Sequence, residues 1–123
     1  VSQSSDKVTI VDKPWGREII YAHSEYYLGK VIEITAGHRL SLQSHVEKDE
    51  TIYVLDGRLE LTVGSSPGKA MTSDLDPGQS HRIRPGTVHR FAAPHGGVRL
   101  LEVSTSHLDD VVRYSDDYGR VVT

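Results

Sequence analysis

"GHRLSLQSHVEKDETIYVLDG" runs from Gly37 to Gly57. Its second half, "ETIYVLD" (Glu50–Asp56), alternates apolar and polar residues with the period of a half-buried strand. Gln43, His45 and Glu50 crowd the middle of the stretch. Side chains of a strand alternate faces, so Gln43 and His45, two apart, share one. The loop "VEKD" (Val46–Asp49) then returns the chain so that Glu50, opening the next strand, meets them across the ladder. An amide, an imidazole and a carboxylate converging inside a barrel are donors for a divalent metal. The same pair near a turn also reads as a solvated strand end. "GQSHRIRPGTVHRF" (Gly78–Phe91) weighs on the choice: it reads as a strand, a tight Pro-Gly turn and a second strand opened by His89, a fourth candidate ligand.

Outward from these segments the period of two recurs in "REIIYAH" (Arg17–His23), "YLGKVIEI" (Tyr27–Ile34), "RLELTV" (Arg58–Val63) and "VRLLEVS" (Val98–Ser104). Turn signals punctuate them: Asp56-Gly57, "GSSPG" (64–68), "DPG" (76–78), "RPG" (84–86) and "PHGG" (94–97). Many short strands at this spacing predict an all-β sandwich or barrel. Only "SHLDDVVRY" (Ser106–Tyr114) reads as helical, with Ser106 as N-cap and Asp109 three residues on. No repeat or linker divides the chain.

The chain has 123 residues, 37% hydrophobic and 25% charged, which suits one globular domain with its own core. No apolar run approaches the ~20 residues of a membrane span. Residues 1–6 lack the apolar stretch of a secretory signal and read as a flexible N-terminus. There is no cysteine, so disulfides, thiolate zinc sites and cysteine nucleophiles are excluded and a cytoplasmic location is expected. A formal charge of −3 without a cationic cluster argues against nucleic acid as partner.

The two glycine-bounded segments resemble the paired motifs of the cupins. The first, G-x5-H-x-H-x4-E-x6-G, is met by Gly37, Gln43, His45, Glu50 and Gly57, with Gln43 in place of the first histidine. The second is met by Gly78, Gly86 and His89, with Arg84 where proline is usual and Ala93 where asparagine is usual. A narrower resemblance covers nearly the whole chain. "KPWGREIIY", "GHRLSLQSH", "RPGTVHRF" and "LDDVVRYSDDYGR" are similar to the phosphomannose (mannose-6-phosphate) isomerase cupin domain of bifunctional guanylyltransferase–isomerases.

The resemblance implies a single-domain cupin, a jelly-roll barrel (double-stranded β-helix), over residues 7–123, with a short C-terminal helix or arm. It implies one divalent metal, typically zinc, with manganese, iron or nickel as alternatives, bound by Gln43, His45, Glu50 and His89. A metal would also account for burying Glu50, which is otherwise costly to desolvate. The implied function is a metal-dependent sugar or sugar-phosphate isomerase working through an enediol, with the metal as Lewis acid. Glu102 is the first candidate for the base, Lys48 for stabilising the enediolate, and His81 a spare. A homodimer built by strand exchange or edge pairing through "KVTIVDKPWG" (Lys7–Gly16) is expected. Two other readings stay open: an iron-dependent oxygenase on the same barrel, and a non-catalytic sugar- or metabolite-binding cupin.

Several residues carry two readings. Lys48 is either a solvated loop cation or a substrate partner. Glu102, interrupting the apolar "LLEVS", is either a buried base or on the outer face. One of His81 and Arg82 must face inward, and Arg90 should point away from His89. Trp15 is expected as a core or lid aromatic, Tyr53 in packing, and His23, His38, His95 and His107 at the surface. The tail "RYSDDYGR" (Arg113–Arg120) is either a solvated arm or a cover over the barrel mouth that supplies Arg113 or Arg120 to an anionic substrate.

Overall fold

A computed structural model describes residues 7–123; the expectation for residues 1–6 lies outside the described residues. Among the described residues eleven strands form two sheets facing each other: β1 (Thr9–Lys13), β2 (Gly16–His23), β3 (Tyr27–Ile34), β4 (Leu42–Ser44), β5 (Glu50–Asp56), β6 (Leu59–Gly64), β7 (Met71–Leu75), β8 (Ser80–Ile83), β9 (Val88–Ala92), β10 (Val98–Thr105) and β11 (Val112–Ser115). The larger sheet has the order β1-β2-β3-β10-β5-β8, the smaller β11-β4-β9-β6-β7. Every pairing is antiparallel.

Alternation does what the sequence predicts. On β5, Glu50, Ile52 and Val54 point inward and are buried, while Tyr53 and Leu55 face out. On β10, Val98, Leu100, Glu102 and Ser104 are the inward set. Leu59 and Leu61 of β6, Phe91 of β9 and Ile32 of β3 complete the dry core, with Trp15 packed against it. Removing such a side chain from water contributes roughly 1.5–3 kcal/mol.

Ser106–Tyr114 is not a helix. The chain turns at 108–109 and enters β11, which pairs with β4 at the edge of the smaller sheet. The β-branched pair Val111-Val112 suits a strand, and the free edge of β4 offers hydrogen-bond partners that an isolated helical turn lacks. The C-terminal segment is therefore an arm. Arg39 holds it through a two-pronged pair with Asp117 at 2.7 and 3.0 Å, and His38 Nδ1 lies 2.8 Å from the Tyr118 hydroxyl. The apolar N-terminal stretch, as β1, pairs with β2 of its own chain.

Candidate metal centre and its chamber

The four candidate ligands come from two walls. Gln43 on β4 lies directly opposite His89 on β9 in the smaller sheet, while Glu50 opens β5 in the larger. The turn Arg84-Pro85-Gly86-Thr87 brings the walls together. Its closing bond runs from the Thr87 N–H to the Arg84 carbonyl at 3.1 Å. Gly86 takes φ +82°, which a glycine after proline adopts without strain. The Gly86 N–H donates to the His45 carbonyl at 2.7 Å, so the turn that leads to His89 also fixes His45.

One ligand atom from each of His45, Glu50 and His89 lies within 4.8 Å of the other two, and all three residues are buried. His45 Nδ1 is hydrogen-bonded to the Asp110 carbonyl and His89 Nδ1 to the Thr87 carbonyl at 3.0 Å. A carbonyl can only accept, so each ring carries its proton on Nδ1 and turns Nε2 inward as a lone-pair donor. Burial pushes His89 below the ordinary histidine range, which keeps it neutral and fit to bind a cation. Gln43 donates its amide Nε2 to the Ser41 hydroxyl at 2.9 Å, so a metal would meet the amide oxygen.

Glu50 supplies the most direct test of fit. Its Oε2 is 3.0 Å from His45 Nε2 and 3.5 Å from Lys48 Nζ. His45 turns a lone pair toward it, and among the described residues the oxygen is buried without a hydrogen bond. Burial pushes this carboxyl up, but the adjoining His45 ring and the Lys48 ammonium outweigh it and bring it down to about 2. A buried, ionised carboxylate oxygen among imidazole nitrogens is a ligand set for a divalent cation. The residues fit the metal.

Beyond the ligands the larger sheet adds charge. Glu102 is 2% exposed and pairs with Lys48 Nζ at 3.0 Å; Lys48 is 5% exposed. Both therefore take the buried reading. Burial, and then the like charge of Glu50, lift the Glu102 carboxyl above its ordinary range. Burial works against the Lys48 charge, but Glu102 and Glu50 prevail and its pKa is raised. Lys30, directly across from Glu102 on β3, pairs with Glu18 at 3.1 Å. Arg113 and Arg120 of the arm both line the chamber. Arg120 is tied to Asp116 at 2.7 Å, whereas among the described residues the Nε of Arg113 is buried without a partner.

His81 shares the inward parity of Ile83 but sits opposite Ile52 and does not line the chamber, so it is not brought to the ligands. Arg90 points away from His89, donating to the Leu40 carbonyl at 2.9 Å. Trp15 is both core and chamber wall. Sequence reading passed over Lys30, Glu18 and Asp110. Lys30 had a signal: it shares its parity with Leu28, Ile32 and Ile34, the buried positions of β3. Asp110 had none. Its carboxylate accepts the backbone N–H groups of Val46, Glu47 and Lys48 at 2.9, 2.7 and 2.9 Å, pinning the loop between His45 and Glu50.

Among proteins of known name, the chain is 35% identical over 114 residues to the xanthan biosynthesis protein XanB of Xanthomonas campestris, covering 89% of this chain and 23% of that protein. It is 33% identical over 115 residues to a mannose-1-phosphate guanylyltransferase of Escherichia coli, covering 90% and 23%. The chain thus spans about a quarter of the length of these relatives. Among solved structures, KdgF from a Halomonas species superposes with a TM-score of 0.71 at 19% identity, over 82% of this chain and 88% of that one. An RmlC-like cupin from Shewanella frigidimarina gives 0.72 at 17%, over 88% and 91%. Lactobacillus farciminis oxalate decarboxylase gives 0.71 at 18%, over 86% and 33%. The cupin domain model matches residues 30–104, from within β3 to within β10. That span holds all four candidate ligands together with Lys48 and Glu102, and this chain belongs to the cupin domain family.

Proposed function

We propose that the chain is a metal-dependent isomerase of a cytoplasmic sugar phosphate, interconverting an aldose and a ketose phosphate in the manner of a mannose-6-phosphate isomerase. The observation that carries the reading is the buried Glu102–Lys48 pair on the wall of the chamber that holds the ligand set. The similarity to mannose-1-phosphate guanylyltransferases supports a mannose-type substrate. Zinc suits the donor set of two imidazoles, a carboxylate and an amide oxygen. Bound there, the metal would supply a Lewis acid for the substrate's carbonyl and hydroxyl oxygens.

The chain's own residues do the rest. Glu102 takes the proton from C2 of the aldose, and the C–H electron pair becomes the carbon–carbon double bond of an enediolate. The carbonyl pair moves onto O1, the O2 hydroxyl proton passes to O1, and the same carboxyl returns its proton to C1 as the O2 pair forms the ketose carbonyl at C2. A carboxyl lifted by burial is a stronger base than a solvated one, which suits it to both transfers. The Lys48 ammonium, held charged beside it, offers N–H donors to the enediolate oxygen. Arg113, with its unpartnered Nε, is the donor for the anionic group at the mouth. We take the protein to act as a homodimer.

The test is turnover of a panel of aldose and ketose phosphates by protein purified without a histidine tag and loaded with zinc or manganese. Glu102→Gln should lower kcat by ~10²–10⁴-fold with metal content unchanged. Metal-loaded protein that converts none of the panel overturns the isomerase reading. Iron in the site with oxygen consumption would replace it with an oxygenase, and binding without turnover with a metabolite-binding cupin.

A further inference from the structure

Two charged residues of the chamber take no part in the chemistry above. Lys30 on β3 and Glu18 on β2 both line it, and their side chains are 7% and 14% exposed. They stand on the same wall as the base. β5, β10, β3 and β2 are consecutive strands of the larger sheet, and they present Glu50, Glu102, Lys30 and Glu18 in that order. Lys30 sits directly across from Glu102, and Glu18 across from Ile32, which shares the inward face of Lys30. Packing does not call for this pair, because apolar residues of similar volume in place of a buried ion pair are often as stable or more so.

Among the described residues the Lys30 ammonium makes one hydrogen bond, to Glu18 Oε2 at 3.1 Å, which leaves it two N–H donors. Glu18 in turn has lone pairs to spare, since a carboxylate accepts about four hydrogen bonds. The wall therefore sets a donor beside an acceptor, both withdrawn from bulk water. Phe91 of the smaller sheet lines the chamber too, as does Leu40, whose N–H bonds the Phe91 carbonyl at 2.9 Å. Neither has a polar side-chain atom. An apolar lining with a few convergent polar groups fixes how a small ligand lies.

We infer that Lys30 and Glu18 form a subsite for two adjacent hydroxyl groups, those on the third and fourth carbons of the sugar phosphate, and so decide which sugar the chamber accepts. The inference rests on the isomerase reading, which puts C1 and C2 beside the metal ligands and Glu102. The carbons that follow then run across the sheet toward Lys30, one strand over and about 4.8 Å away. The charges of the pair select the ligand. A phosphate there would be repelled by Glu18 and an ammonium by Lys30, while neutral hydroxyls meet neither repulsion. One hydroxyl oxygen accepts from Lys30 and its neighbour donates to Glu18. The phosphate stays with Arg113, whose strand β11 belongs to the smaller sheet. A sugar without the two hydroxyls would leave buried polar groups unmatched, which is how such sites reject an analogue.

Titration calorimetry on the full chain loaded with zinc tests it, with mannose 6-phosphate and its 3,4-dideoxy analogue as probes. Wild type should bind the parent sugar at least ~10-fold more tightly than the analogue. Changing both residues at once, Lys30→Met with Glu18→Leu, leaves no unmatched charge in the wall. Circular dichroism and metal content confirm that this double variant is folded and loaded. It should bind the parent at least ~10-fold more weakly than wild type does and the analogue as wild type does, so that the preference disappears. A wild type without the preference overturns the subsite, and so does a double variant that keeps it or that weakens both sugars equally. Failure of wild type to bind either probe overturns the subsite and the sugar reading together. Discrimination without turnover leaves the subsite standing and removes the isomerase reading.

Discussion

The barrel has two ends, built from the same strands by the same alternation, and they differ in chemistry rather than in burial. On β5, Glu50 is 2% exposed and Val54 is 0% exposed. They are inward residues of one strand, about 13 Å apart along it. At the Val54 end, Leu59, Leu61, Val98 and Leu100 fill the interior without a polar atom. At the Glu50 end the same depth holds Lys30, Lys48, Glu102 and two histidines. Burial at the dry end needs no partners. At the charged end it needs ion pairs, and even with them Glu50 keeps one oxygen without a hydrogen bond among the described residues. The dry end holds the fold; the charged end is organised for something that must be added to it.

The largest effect should come from the dry end. Leu61→Ala removes a side chain with no solvent exposure from the centre of the core. Truncations of this kind cost about 2–5 kcal/mol. The midpoint of urea unfolding should fall accordingly, with metal stoichiometry per folded molecule unchanged. Loss of metal from the folded variant would show that the two ends are not separate.

The charged end should answer to chelation instead. A ligand that binds only the folded state at a hundredfold excess over its Kd stabilises it by about 2.7 kcal/mol. Stripping the metal from wild type should lower stability by about that amount, and His89→Ala protein should show almost no response to chelator. Leu61→Ala should respond as fully as wild type, because separate sites add. A His89→Ala variant with full metal content would remove this residue from the ligand set.

The sequence showed the two ends unequally. Period-two alternation placed five strands close to their observed bounds, because a one-residue slip would turn every apolar side chain to solvent. The four candidate ligands follow the paired motifs, with Gln43 and His45 two apart and the Pro-Gly turn leading to His89. Glu102 stood open between the two faces until Leu100 and Ser104 were seen to share its side. Ser106–Tyr114 reads as helical because Ser106 and Asp109 mimic a helix cap, whereas the β4 edge that recruits Val112–Ser115 is more than sixty residues away in sequence. Asp110 was invisible for the same reason: its partners are backbone N–H groups, which carry no residue signature.

Asp110 gives the smallest effect and the sharpest test of how the charged end is held. Its two carboxylate oxygens take three N–H groups of the loop between His45 and Glu50. Asparagine keeps the shape but replaces one accepting oxygen with an NH₂ that cannot accept, so at least one loop amide loses its partner. The cost of Asp110→Asn should be about 1–2 kcal/mol, with weaker metal binding because the loop sets the approach of both ligands. The pH dependence separates charge from shape. Burial pushes the Asp110 carboxyl up, but the N–H groups of Glu47, Val46 and Lys48 prevail and hold it down to about 2. A carboxyl with a depressed folded-state pKa contributes its stability above the unfolded value of about 3.9, and the contribution fades as pH falls through the folded value. The difference in stability between wild type and Asp110→Asn should therefore be constant from neutral pH down to about 4 and close toward about 2. A difference that persists undiminished at the acid end would mean that the loop is held by the outline of the side chain and not by its charge.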